Sequence, residues 1–148
     1  AEGRILGGGP TRDFFTNPRT VQAARLTGCK NISPVKRCGA CEVIALNWDF
    51  RLILPGPVPG DITHVGIRAH DFLPLNPAEG PLPEKPNRIR IRVRRRSEEP
   101  FEEAVLFINA ASPQEGEELW WKYSKYAGPG ELPEQLYVPP EAVLLLRR

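Results

Sequence analysis

The sequence predicts a mostly β domain, a small β-barrel or sandwich preceded by a short helical segment. Three observations carry this. Arg88-Ile89-Arg90-Ile91-Arg92-Val93-Arg94 alternates charged and apolar residues with period two, the signature of a half-buried strand. The stretch from His64 to Leu75 starts the same way, with Val65, Ile67 and Ala69 on one face and His64, Gly66, Arg68 and His70 on the other. The remaining apolar runs are short, and the chain's 17 prolines and 13 glycines break between them, so strands and turns are favoured over long helices.

In chain order, residues 3–6 read as a short strand broken by Gly7-Gly8-Gly9-Pro10, and Thr11 is placed to cap a short helix ending at Thr16. Asn17 followed by Pro18 is an N-cap and first-turn signal, with Val21, Ala24 and Leu26 as an apolar stripe and Gly28 as the stop. Residues 42–46 and 50–54 read as a hairpin around Asn47-Trp48-Asp49, with one long strand as the alternative. Residues 55–60 form a turn-rich bridge into the strand that opens at His64, and 74–86, with five prolines, reads as a loop. Phe101 with 105–108 forms a buried strand, 119–124 another, and 142–146 closes the domain.

A chain of 148 residues with 41% hydrophobic content supports one main core. The formal charge of +2 is close to balanced, so any basic patch is local. Nothing reads as a signal peptide, and no apolar run reaches the roughly 18 residues that a membrane helix needs. Three cysteines do not make a disulfide framework and suit a reducing compartment. The triple glycine is no phosphate loop, because Pro10-Thr11 follows where Gly-Lys-Ser/Thr is required.

Four groups of residues could carry chemistry. Arg88, Arg90, Arg92 and Arg94, with Arg95 and Arg96, could follow phosphates along a strand. Glu98, Glu99, Glu102 and Glu103 follow at once, however, and favour a solvated hairpin with cross-strand ion pairs. Trp120, Trp121, Tyr123 and Tyr126 could stack bases, but alternation sends Leu119, Trp121 and Tyr123 to a core and Trp120 to the other face. Cys38-Gly39-Ala40-Cys41 has zinc-ligand spacing, yet there is no second such pair, so no metal is expected. Lys30, Arg68 and His70, with His64 and Lys122 as further donors, could converge on an oxyanion.

The sequence also resembles a known family. Gly3-Arg4-Ile5, the run from Gly9 to Pro18, and Ala23-Ala24-Arg25-Leu26-Thr27-Gly28-Cys29-Lys30-Asn31 resemble the passage linking the ATPase domain of an ABC importer to its C-terminal accessory β-domain. Val65-Gly66-Ile67-Arg68-Ala69-His70-Asp71 resembles the strand opening that domain's main repeat, in the form found in subunits for molybdate-type uptake. The resemblance implies a TOBE/MOP-like, OB-like barrel over residues 33–148 and a linker over 1–32 that follows an ATPase domain. It implies a regulatory and dimerising role, at the cytoplasmic side of a membrane transporter. The implied partners are the ATPase domain of the same subunit, a second copy of the subunit, and the membrane subunits reached through the ATPase domain. With no P-loop, no ABC signature motif and no acidic magnesium strand, the chain itself is not expected to hydrolyse ATP.

In the molybdate-binding version of the domain, a Ser-Ala-Arg-Asn turn and a late Lys-Ala-Ser segment hold the anion. The corresponding places here are Pro86-Asn87-Arg88 and Pro140-Glu141-Ala142, and of these Asn87 matches. The ligand set that follows is Lys30, Arg68, His70, Asn87 and Lys122, with molybdate or tungstate as the one ligand and no cofactor. Two alternatives stand beside the regulatory reading: direct oxyanion binding, and single-stranded nucleic-acid binding through an OB-type face, although no nucleic-acid partner is expected. Arg68 and His70 lie two positions apart on the opening strand, so their side chains are expected to meet one anion or one carboxylate, such as Asp71 or a glutamate of residues 98–103.

Overall fold

Ten strands, one six-residue helix and two single-turn 3-10 helices make up the computed structural model, which describes residues 18–75, 86–112, 116–126, 128 and 131–148. The strands are β1 (Asn31–Gly39), β2 (Glu42–Ala45), β3 (Phe50–Ile53), β4 (His64–Ile67), β5 (Leu73–Leu75), β6 (Arg88–Glu98), β7 (Glu102–Asn109), β8 (Leu119–Ser124), β9 (Gln135–Tyr137) and β10 (Leu144–Leu146). They form two antiparallel five-stranded sheets, ordered β10-β4-β1-β2-β3 and β5-β9-β6-β7-β8. The fold is therefore mostly β, as the alternation and turn spacing predict.

The two orders are one plan used twice. Laying β1 to β5 on β6 to β10 converts each sheet into the other, and the registers agree. Leu144, Leu145 and Leu146 pair with Gly66, Val65 and His64; Leu73, Pro74 and Leu75 pair with Tyr137, Leu136 and Gln135. In each half the fourth strand ends in a 3-10 turn, Ala69–Asp71 or Pro140–Ala142. The fifth strand then crosses to the other half's sheet. Each half thus supplies an edge strand to its counterpart.

One core lies between the sheets. Val43, Leu52, Val65 and Ile67 from the first meet Phe107, Leu119, Trp121 and Leu136 from the second, all at most 1% exposed. Phe72, just beyond the first crossing turn, meets Phe107 edge to face at 5.4 Å and 85°. Fully burying a side chain of this kind stabilises the fold by about 1.5–3 kcal/mol. A smaller cluster of Ala24, Cys29, Leu144 and Leu146 docks helix α1 (Val21–Leu26) beside β10.

The local sequence accounts for most elements. Asn47-Trp48-Asp49 does turn β2 into β3, with Asp49 at φ 51°, a conformation that Asp tolerates better than branched residues. Ile89, Ile91 and Val93 face inward from β6, and the register shifts between Val93 and Arg95, which places a bulge at Arg94. Gly28 at φ 93° ends α1, and the Cys29 N–H bonds to the Ala24 carbonyl at 2.9 Å.

Several expectations are corrected. The strand opening at His64 stops at Ile67, because the chain must turn there to reach the other sheet; Arg68 to Asp71 lie in that turn and share no strand face. Helix α1 is capped by the Thr20 hydroxyl, which accepts from the Ala23 N–H at 3.0 Å, so Pro18 precedes the helix. Leu26 is 70% exposed, and the buried stripe is Ala23 and Ala24, since only small side chains fit this close to β10. Phe101 is 72% exposed in the β6–β7 turn. Pro74 belongs to β5, an edge strand, where its missing N–H leaves no ladder bond unmade. Strand β1 runs across the 32/33 boundary, and Thr20 bridges to Arg147 alongside β10. The expected strand at 3–6, the helix from Thr11 to Thr16 and the Asn17 cap lie outside the described residues, as does most of the proline-rich loop.

Candidate functional site

Strand β8 carries Lys122 and lies beside Lys30. Asn31, at the head of β1, fastens it: its side-chain N–H groups donate to the Trp120 carbonyl at 2.8 Å and the Ile67 carbonyl at 3.0 Å, and its Oδ1 accepts the Trp120 N–H at 2.7 Å. Lys30 is therefore held next to Trp120, and its Nζ sits 4.2 Å from the ring centroid. Arg25, Gly28, Cys29, Lys30, Ile32, Glu117 and Trp120 line an open depression of about 440 Å³. Two cations and a tryptophan face lie in it, along with one carboxylate. Arg68 stands close enough to Cys29 for its charge to favour the thiolate, but burial dominates and pushes that thiol up.

The remaining donors already have partners. His70 Nε2 is 2.5 Å from Glu102 Oε2, an exposed pair that joins the first crossing turn to β7. Lys122, two residues along β8 from Trp120, bridges to Glu99 at 3.3 Å. His64 Nδ1 meets the Thr63 hydroxyl at 2.8 Å, and burial together with Arg148 and Arg25 lowers its pKa. Of the expected convergence of Arg68 and His70 on one anion or carboxylate, the structure shows the His70 contact to Glu102, and the two residues lie in the crossing turn and not on one strand face.

Asn87 stands elsewhere. It is buried, with φ 56°, and its side chain acts as a short strand of its own: Nδ2 donates to the Ile53 and Val138 carbonyls, both at 3.1 Å, and Oδ1 accepts the Ile53 N–H at 2.6 Å. This is the Asn31 arrangement repeated in the second half of the fold. Each asparagine fastens the third strand of the opposite half, and both N–H donors of each amide are spent on carbonyls, leaving none for an anion.

The arginine row is divided by the bulge. Arg88, Arg90 and Arg92 are exposed on β6, while Arg95 bridges to Glu118 at 3.1 Å and Arg96 to Glu103 at 2.8 Å. The same Glu103 oxygen accepts the Tyr123 hydroxyl. Trp121 is buried and Trp120 half-buried on the opposite face, as alternation requires. Among the described residues, no group of three or more His, Cys, Asp and Glu side chains comes together to hold a metal. No described helix is long and apolar enough to cross a membrane.

Sequence reasoning missed Asn31, Arg25 and Glu117. Asn31 had a signal, since Asn31-Ile32 and Asn87-Arg88 each head the central strand of a half, but the duplication shows in register more than in residue identity. No protein-family model matches this chain, and no curated protein matches it either.

Proposed function

We propose that the chain is the accessory, regulatory and pairing domain of an ABC-importer ATPase subunit of the molybdate-type uptake class. The resemblance in residues 3–31 and 65–71 is what points to that family. The observation that carries the regulatory role is the occupation of the candidate ligand residues by the fold itself: Asn87 is consumed by Ile53 and Val138, His70 faces Glu102, and Lys122 faces Glu99. Two interlocked halves with such contacts make a rigid β scaffold suited to hold neighbouring subunits. The test is capture of the tagged chain from its native membrane fraction, followed by peptide mapping. Enrichment of an ABC ATPase and its membrane subunits is expected. Absence of both, from a preparation in which other importers are recovered, would overturn the reading.

A second reading, direct oxyanion binding, is favoured by one feature: Arg25 and Lys30 face the same depression beside the glycine turn at Gly28. Calorimetry with molybdate, tungstate and sulfate separates the two. Heat of binding that disappears in Lys30→Ala would promote the second reading; no heat with any of the three leaves the first.

A further inference from the structure

The β1–β2 hairpin carries the Cys38-Gly39-Ala40-Cys41 motif at its tip. Gly39 pairs with Glu42 across the turn, and the register slips between Arg37 and Gly39, so Cys38 falls outside the ladder. Cys38 is exposed and Cys41 half-buried. The tip is not a free loop. The Ala40 and Cys41 carbonyls accept from the Val58 and Leu54 N–H groups, both at 2.8 Å, and the Arg37 guanidinium donates to the Val58 carbonyl. Cys38 Sγ lies 3.8 Å from the Glu42 carboxylate, which Arg51 holds at 3.3 Å. The third thiol, Cys29, is 5% exposed, its pKa is raised by burial, and it bonds to the Asn31 carbonyl.

Two thiols thus share one pinned turn, with the Glu42 carboxylate beside Cys38, and among the described residues no group of three or more His, Cys, Asp and Glu side chains comes together to hold a metal. A disulfide needs Cα atoms within about 4.4–6.8 Å. The chain reverses between Gly39 and Glu42, whose Cα atoms such a turn keeps within about 7 Å, and Cys38 and Cys41 each stand one residue before one of these ends. The bulge releases Cys38 from strand pairing, which lets its side chain turn toward Cys41.

We propose that Cys38 and Cys41 form a thiol–disulfide exchange site that reacts with small-molecule disulfides and closes a reversible bridge across the hairpin tip. The Cys38 thiolate attacks one sulfur of the small disulfide, whose S–S bond breaks to release one thiolate. The Cys41 thiolate then attacks Cys38 Sγ; the mixed disulfide breaks and the second small thiolate leaves. Two cysteine protons pass through solvent to the two released thiolates, and two electrons move from the cysteine pair to the small disulfide. Cys29, buried and kept protonated, takes no part.

The test uses the full chain in mixtures of oxidised and reduced glutathione, quenched with acid, alkylated and mapped by peptide mass. The expected product links Cys38 to Cys41 within one chain and leaves Cys29 free to be alkylated after unfolding. Cys41→Ser should instead retain one glutathione on Cys38. The closure constant against glutathione should be about tenfold or more higher in the folded chain than in the same chain in denaturant, because the turn holds the pair in place. Closure weaker in the folded chain would overturn the proposal, as would wild type halting at the mixed disulfide or bridges forming only between chains. Zinc bound by the pair at one ion per chain would also overturn it, in favour of a metal site.

Discussion

The Asn31 side chain pairs with both backbone polar groups of Trp120, giving and receiving a hydrogen bond at 2.8 and 2.7 Å as a neighbouring strand would. Its third bond reaches the Ile67 carbonyl. Asn31 is 2% exposed, so water cannot replace what a substitution removes. Asn31→Ala should lower unfolding free energy by about 2–4 kcal/mol, because each buried donor or acceptor left unpaired costs about 1–3 kcal/mol and some will relax. Urea unfolding measures it, and a loss under about 1 kcal/mol would show that the clamp contributes little.

Asn87 adds a backbone requirement to the same bonding pattern. Its φ of 56° lies in the left-handed region, where asparagine and glycine are tolerated and other side chains cost roughly 1–2 kcal/mol. Asn87→Ala should therefore be worse than Asn87→Gly by about 1 kcal/mol, although both lose the bonds to Ile53 and Val138. Equal stabilities in thermal melts would refute a role for the backbone conformation.

These asparagines show what was legible in the sequence. The pattern of residues 88–94 predicted β6 because alternation is local. The third-strand clamps and the crossing of β5 and β10 are not local: His64-Val65-Gly66-Ile67 continues into Arg68 with nothing in its period to announce a change of sheet. Burial on one face also failed as a guide at β7, where residues 104–108 are buried on both faces. The candidate ligands Lys30 and Lys122 were found because cations are conspicuous in sequence; their partners Trp120 and Glu99 are fixed by β8 pairing, which a single strand does not reveal.

The Tyr123, Glu103 and Arg96 cluster predicts how stability depends on pH. The Tyr123 hydroxyl and then the Arg96 guanidinium hold the Glu103 carboxyl below its ordinary range, while burial and the Glu103 hydrogen bond raise Tyr123. Below the ordinary carboxylate range the unfolded chain binds more protons than the native one, so the Glu103 contribution is complete above about pH 4.3 and is lost as pH falls through its folded pKa. For Tyr123 the native state keeps its proton longer. That contribution is complete below about pH 10 and is lost as pH rises toward the raised folded value. Tyr123→Phe should flatten both limbs of a plot of melting temperature against pH. Unchanged limbs would mean that the cluster is broken in solution.

Gly66 and Tyr137 occupy the same place in the two halves, yet only one of them can carry a side chain. A Cβ on Gly66 would lie 3.2 Å from Cys29 Sγ and 3.2 Å from Leu146 Cδ1, closer than ordinary van der Waals contact. Neither neighbour can easily move, since Leu146 is fully buried and Cys29 nearly so, and both belong to the cluster that seats α1. Tyr137, paired with Leu73 as Gly66 is with Leu144, is half-buried with room for its ring. Gly66→Ala should therefore destabilise the fold by about 1–3 kcal/mol through overpacking. Removing the obstructing sulfur should return part of that cost: Cys29→Ala combined with Gly66→Ala should show a favourable coupling of at least about 0.5 kcal/mol. Hydrogen exchange at the Cys29 amide, which bonds to Ala24, should quicken in Gly66→Ala as α1 is pushed from β10. If the two substitutions simply add and that amide exchanges at the wild-type rate, the glycine is not there to make room for Cys29.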